Sequence, residues 1–300
     1  MPRILVATQD GLHTLGADGQ SAGPSFAGRP VTAIVRDGSE PWAIVDGSEI
    51  WHELKEGWRQ VTAVQGLAAR CVAMTDAIHV GTSEARLFRL EGSLLTPVVG
   101  FDAVDGRDDW YTPWGGPPDT RSISEWGDDV YVNVHVGGIV RTDDHGETWH
   151  PTIDIDADVH QVATAEGLVL AATAHGLASS TDRGVTWTYR TDGLEAPYAR
   201  AVVVSGDDVL MSTSNGPRGG RAGVYRAPLV GGPFERCRTG LPDWFEDNVD
   251  TCCLDSLNDG SSAALGTADG AVYASDDGGG TWHEVATGLP PVHQLLLVPS

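Results

Sequence analysis

The sequence predicts an all-β fold: a single seven-bladed β-propeller of four-stranded antiparallel blades spanning residues 1–300. Three observations predict it. A turn motif occurs three times. Short alternating runs of apolar and polar residues surround each copy. The recurrence of those runs closes on itself from the C-terminus to the N-terminus.

The turn motif reads Ser/Thr-x-Asp-x-Gly-x-Thr-Trp. Its first copy has Thr142, Asp144, Gly146, Thr148 and Trp149. The second has Ser180, Asp182, Gly184, Thr186 and Trp187, and the third Ser275, Asp277, Gly279, Thr281 and Trp282. A tight hairpin needs a residue that tolerates left-handed φ, which glycine supplies. The aspartate can accept hydrogen bonds from turn amides. The tryptophan opens the next strand and can wedge between neighbouring sheets.

The unit is clearest over residues 159–190. Val159 to Ala165, Leu168 to Ala174, Leu177 to Thr181 and Thr186 to Arg190 are four period-two runs separated by turns at Glu166-Gly167, at His175-Gly176 and at the box. Aligning the first run of every unit places Thr32, Arg70, Arg121, His160, Arg200, Asp250 and His293 in one register, with spacings of 38 to 51 residues. The chain left after His293, joined to the first 32 residues, makes one more repeat. Residues 293–298 are therefore expected to share a blade with residues 3–8, a closure that removes exposed sheet edges.

The three boxes closely resemble the Asp box of the sialidase-like (BNR) propellers. The resemblance implies the propeller fold and a structural role for Asp144, Asp182 and Asp277. It does not carry sialidase activity here. The Arg-Ile-Pro motif of sialidases is missing, no tyrosine–glutamate pair can be assigned, and seven blades depart from their six. Photosystem-assembly factors carry similar repeats, so the resemblance also allows a scaffold.

Acidic residues outnumber basic ones, 42 to 19, giving a net charge of -23. Such a surface repels phosphate backbones and anionic lipid, so neither nucleic acid nor membrane is an expected partner. The four cysteines, Cys71, Cys237, Cys252 and Cys253, form no CxxC pair. The N-terminus lacks leader features, and no apolar run approaches the roughly 18 residues of a membrane span. A soluble cytoplasmic chain is expected.

In a propeller, loops entering the first strand and joining the second and third strands lie on one face, opposite the Asp boxes. Three insertions map to that face: residues 107–119, 214–221 and 242–248. Loops of this kind commonly carry function. They contribute Trp110, Tyr111, Trp114, Trp244 and Asn248 as candidate ligand contacts, with Tyr198 beside the mouth.

The aligned register supplies the chemistry. Six of its seven members are ionisable on strands that are otherwise apolar. One reading is a ring of inter-blade salt bridges, Arg200 with Asp250 for example. The other is a polar cup. Arg70, Arg121 and Arg200 suit a carboxylate or phosphate. His135 stands where the other units have Thr8, Thr82, Thr173 and Thr267. His160 or His135 could act as general acid or base with Asp250 orienting it. Alternatively His135, His160 and His293 could ligate a divalent transition metal. The expected function is a small-molecule enzyme, hydrolase- or lyase-like with an anionic substrate, or a binding protein using this cup. The alternative is a non-catalytic scaffold for a protein partner.

Overall fold

The computed structural model describes residues 2–16 and 21–299. They form seven four-stranded antiparallel sheets arranged as blades, with sequence neighbours adjacent in every sheet but one. The exception is the closing blade, here blade one. Its innermost strand, Val292–Val298, pairs with Arg3–Thr8, from Arg3 opposite Val298 to Thr8 opposite Val292. Blades two to seven follow in chain order, as the repeat predicts.

Period-two alternation places a core on each side of a blade. In the strand Leu168–Thr173 of blade five, Leu170 and Ala172 join the cluster shared with blade six. Val169 and Ala171 join the cluster shared with blade four. Burying both faces of a sheet in this way makes each blade depend on its neighbours.

The Asp boxes close the outer hairpins. Asp182 accepts from the Thr186 amide at 2.9 Å and hydroxyl at 2.6 Å, and from the Ser180 hydroxyl at 2.8 Å. Ser180 Oγ in turn accepts from the Gly184 amide at 2.8 Å. Asp144 and Asp277 repeat these contacts with Thr148 and Thr281. The three glycines have φ of 89°, 88° and 95°, as expected. The residues before them, His145, Arg183 and Gly278, are left-handed as well. Trp187 Nε1 donates to Gly184 O at 3.2 Å and, across the blade boundary, to Thr152 O at 2.9 Å. The expected wedge is therefore also a hydrogen-bonded tie.

Two features were not legible in the alternation. The first strand of blade seven, expected from Val249, begins at Leu254. Asp250 Oδ1 takes the Thr251 amide at 2.7 Å and Gln161 Oε1 takes the Cys252 amide at 2.9 Å, so these groups are used by side chains instead of a strand ladder. Cys252 is held at φ 59°. The second feature is a β-bulge in the innermost strand of blades one to six. In five of them a single residue has no partner across the ladder: His293, Thr32, Arg70, Arg121 and His160. In blade six the irregularity spans Arg200 and Ala201. Six of the seven aligned register positions are thus bulge positions, and a bulge re-aims the side chain it carries.

The bulges lie beside inter-blade ties. Gln294 of blade one receives the Ile34 amide at 3.1 Å and donates to the Ile34 carbonyl at 2.7 Å. Arg36 of blade two reaches over blade one, donating to Leu297 O at 2.8 Å and pairing with Asp255 of blade seven at 3.1 Å. Burial pushes the Asp255 carboxyl up, opposed chiefly by Arg36.

Both the seam and the boxes can be probed by single substitutions. Arg36→Met leaves Asp255 buried without its partner and should destabilise the fold by on the order of 3 kcal/mol, read from the urea midpoint. Thr186 and Ser180 hold the Asp182 carboxyl at about 2, below the ordinary carboxylate value. Stability from this group is present above the unfolded value and lost as pH falls through about 2. Asp182→Asn should therefore lower the melting temperature at pH near 7 and show a shallower further loss between about pH 4 and 2.

Candidate functional site

The seven inner strands surround a channel with a cavity of about 700 Å³. Its wall includes Thr32, Arg70, Arg121, Arg200, Asp250 and His293, six of the seven register positions. His160, the seventh, is fully buried behind the wall.

The bulge geometry explains this division. His160 Nδ1 lies 2.6 Å from Ala199 O, and His293 Nδ1 lies 3.1 Å from Val31 O. Each acceptor is the residue before the register position in the next blade. A carbonyl oxygen only accepts, so Nδ1 carries a proton in both histidines. These imidazoles tie one inner strand to the next. Cys71 makes the equivalent contact to Thr120 O through Sγ at 3.5 Å.

The arginines take other roles. Arg200 pairs with Asp250 at 2.8 Å, so the salt-bridge reading holds for that couple. Arg70 pairs with Asp119 at 3.1 Å. Arg121 has no acidic partner at ion-pair distance among the described residues. Burial, then the neighbouring charge of Arg200, weaken its hold on its proton, while Asp250, Asp158 and Asp119 act oppositely. Arg121 is thus a half-buried cation in the channel wall, without an ion-pair partner among the described residues.

Behind the wall lies a cluster that the repeat alignment does not assemble. Asp158 stands between two imidazoles, 3.7 Å from His135 Nε2 through Oδ1 and 3.6 Å from His160 Nε2 through Oδ2. It is held left-handed at φ 47° after a short 3₁₀ turn, Ile155–Ala157, a strained state for a non-glycine residue. The one sequence signal was its position, two residues before His160. His135 lies here because it replaces a turn-closing threonine: Thr8 and Thr173 donate to Gly11 O and Gly176 O, each at 2.9 Å, which an imidazole cannot mimic. Burial, then Arg121, push His135 down to about 4, and burial lowers His160 too. The His160 imidazole beside it holds the Asp158 carboxyl below the usual range.

The expected catalytic set of His160, His135 and Asp250 is therefore divided. The two histidines share Asp158, while Asp250 faces the channel and Arg200. The expected metal set is divided as well, since His293 lines the channel and His135 and His160 do not. Among the described residues, no three His, Cys, Asp or Glu side chains gather with metal-holding geometry. The three histidines therefore do not fit a shared metal ion.

The aromatic candidates also separate. Trp110 packs inward, 6.0 Å from Phe101 between ring centres, with Arg107 over it at 4.8 Å. Trp114 is 72% exposed and tilts over His135 at 5.0 Å, and Tyr111 is 47% exposed. Tyr198 packs against His160 at 4.7 Å, with Arg200 over its ring at 5.9 Å. Trp244 lies away from the channel wall, with Arg236 over it at 3.7 Å. Asn248 Nδ2 donates to Gly216 O at 3.2 Å and Pro217 O at 3.3 Å, tying two insertions together.

His135 sets a pH dependence. Its folded value of about 4 lies below its unfolded value, so the unfolded chain binds more protons as pH falls from about 6.5. Stability is present above that range and lost on acidification. His135→Thr restores the residue of the other repeats and should flatten the decline in melting temperature between about pH 6.5 and 4, as thermal denaturation across that range would record.

The BNR/Asp-box repeat family model matches residues 273–284, which contain the third box. No curated protein matches the sequence. Among solved structures, the computationally designed Ika8 protein is similar at a TM-score of 0.61 and 11% identity, over 97% of this chain and 86% of that one. YCF48 bound to D1 peptide is similar at 0.57 and 14%, over 85% and 81%. An ancestral GH74 enzyme is similar at 0.64 and 17%, over 95% of this chain, which spans 40% of that one. At these identities the likeness establishes the fold alone. With its three boxes and its closed ring of sheets, the chain is an Asp-box repeat β-propeller of seven blades.

Proposed function

We propose that this propeller binds a small organic anion in its channel, with Arg121 as the charged anchor. The observation that carries the reading is the position of Arg121, half-buried and without an ion-pair partner among the described residues, in the wall of a roughly 700 Å³ cavity. A half-buried guanidinium without a carboxylate is only partly satisfied by solvent, and a bound anion would engage it through two parallel hydrogen bonds. The local charge supports the same reading. The channel wall carries Arg36, Arg70, Arg121 and Arg200 against Asp119, Glu125 and Asp250. Elsewhere acidic residues dominate, 42 to 19 over the whole chain.

The reading is one of binding. His135 and His160 do not line the cavity, so their cluster supports the wall from behind and does not face a ligand held by Arg121. A scaffold is the second reading. It is favoured by the pairing of Arg70 with Asp119 and Arg200 with Asp250, and by the likeness to YCF48 bound to D1 peptide.

Calorimetric titration of the intact protein with acetate, succinate, citrate and inorganic phosphate tests the proposal. At least one should bind, and Arg121→Met should weaken it by about tenfold or more, the scale of a charge-assisted hydrogen bond. Arg59→Met, at an exposed position on the outer strand of blade two, should leave binding unchanged. Binding of none by the wild type, or equal binding by Arg121→Met, overturns the reading in favour of the scaffold.

A further inference from the structure

Arg121 and His135 leave one corner of blade four. In its inner ladder Thr120 stands opposite Val134, and Arg121 is the bulged residue that follows Thr120. One step beyond Val134, the His135 amide donates to Asp119 O at 3.0 Å. The guanidinium and the imidazole therefore start from adjoining strand ends. One enters the channel wall and the other turns behind it.

The cluster behind the wall is short of hydrogen-bond donors. His160 commits its Nδ1 proton to Ala199 O at 2.6 Å, so in the neutral ring Nε2 has only a lone pair to offer Asp158. His160 Nε2 and Asp158 Oδ1 are both buried without a hydrogen-bond partner among the described residues. The separations of 3.6 and 3.7 Å on the two sides of the carboxylate exceed hydrogen-bond range. One added proton would make an imidazolium, with an N–H on each ring nitrogen, and give Asp158 a charged donor. His135 is the imidazole placed to receive it. His160 is fully sealed, whereas His135 lies under the exposed ring of Trp114.

The charges around His135 oppose that proton. Arg121 of its own blade comes first among them, and Arg200 of blade six acts in the same sense. His160 of blade five would add to them if it were charged, while Asp158 has the opposite sign. Asp119 and Asp250 are paired with Arg70 and Arg200. Tyr198 of blade six packs on His160 as a neutral phenol. Burial and Arg121 together hold the His135 imidazole down to about 4. An anion on Arg121 would cancel the leading positive charge and leave Asp158 to favour the proton.

From this arrangement we infer that anion binding in the channel is coupled to proton uptake: an anion on Arg121 draws a proton from solvent onto His135, and acidification tightens the anion in return. The inference rests on the anion reading of the channel and names how that same site is regulated. The two effects are one free energy read from two ends, so each must appear if the other does. The sign follows from the charges. Loss of a positive neighbour raises the imidazole value, so the bound state holds more protons than the free state between about pH 6.5 and 4, and affinity rises as pH falls through that range.

The test is calorimetric titration of the wild type and of His135→Thr with acetate, succinate, citrate and inorganic phosphate at pH 7 and at pH 5. Ionisation of the ligand and of the acidic surface changes both proteins alike and drops out of their ratio. At pH 7 the two should bind equally. At pH 5 the wild type should gain about threefold over the variant, the value expected when the His135 titration moves from about 4 to about 5.5. Histidine NMR of the wild type supplies a second measurement that needs no variant: the His135 midpoint should rise when the bound anion is at saturation. An equal pH dependence in the two proteins, or a midpoint that the anion leaves in place, overturns the coupling and leaves the anion reading standing. If none of the four anions binds to the wild type at either pH, the anion reading itself fails and the coupling falls with it.

Discussion

The pairing of Val292–Val298 with Arg3–Thr8 is the interaction on which the rest of this molecule depends. Six blades are continuous in sequence and would form an open stack with two exposed edges. The seventh is completed only when the last strand of the chain meets the first. Closure removes the edges and fixes a single axis. The ties around this seam are correspondingly dense. Gln294 holds Ile34 by both its amide and carbonyl, and Arg36 spans from Leu297 to Asp255. These contacts join blades two, one and seven around the one blade that the covalent chain leaves in two pieces.

A closed ring turns one repeated backbone irregularity into a site. The same bulge recurs in six inner strands, each time at the position whose side chain must leave the regular alternation. What occupies it then divides the labour. Histidine at the bulge reaches the carbonyl of the next blade and ties two strands. Arginine at the bulge lines the channel instead. Two of the three arginines meet carboxylates, Asp119 and Asp250, supplied by the approach to a neighbouring first strand. Arg121 meets none among the described residues: Asp119 and Asp250 are taken by Arg70 and Arg200, and Asp158 faces two imidazoles.

The electrostatics of the molecule sharpen that contrast. A net charge of -23 disfavours the approach of a simple anion from solution. Inside the channel the balance reverses over a short distance. The His135–Asp158–His160 cluster contributes by what it withholds: burial keeps both imidazoles from adding positive charge beside Arg121.

The sequence by itself determined the architecture. Alternation, the three boxes and the circular spacing depend on local turn chemistry and on period-two burial, and both are written in neighbouring residues. It also located the ring of register positions, because repeats of one backbone can be aligned without knowing their arrangement. What only the tertiary structure decided is where each side chain at that register goes. His160 and Arg121 hold the same place in the repeat, yet one is sealed behind the wall and the other lines the channel. The bulge that turns them, the carboxylate Asp158 that links His135 to His160, and the pairing that leaves Arg121 free all depend on residues from different blades. Contacts of that kind are set by distances across the closed ring, and no local pattern in the chain encodes them.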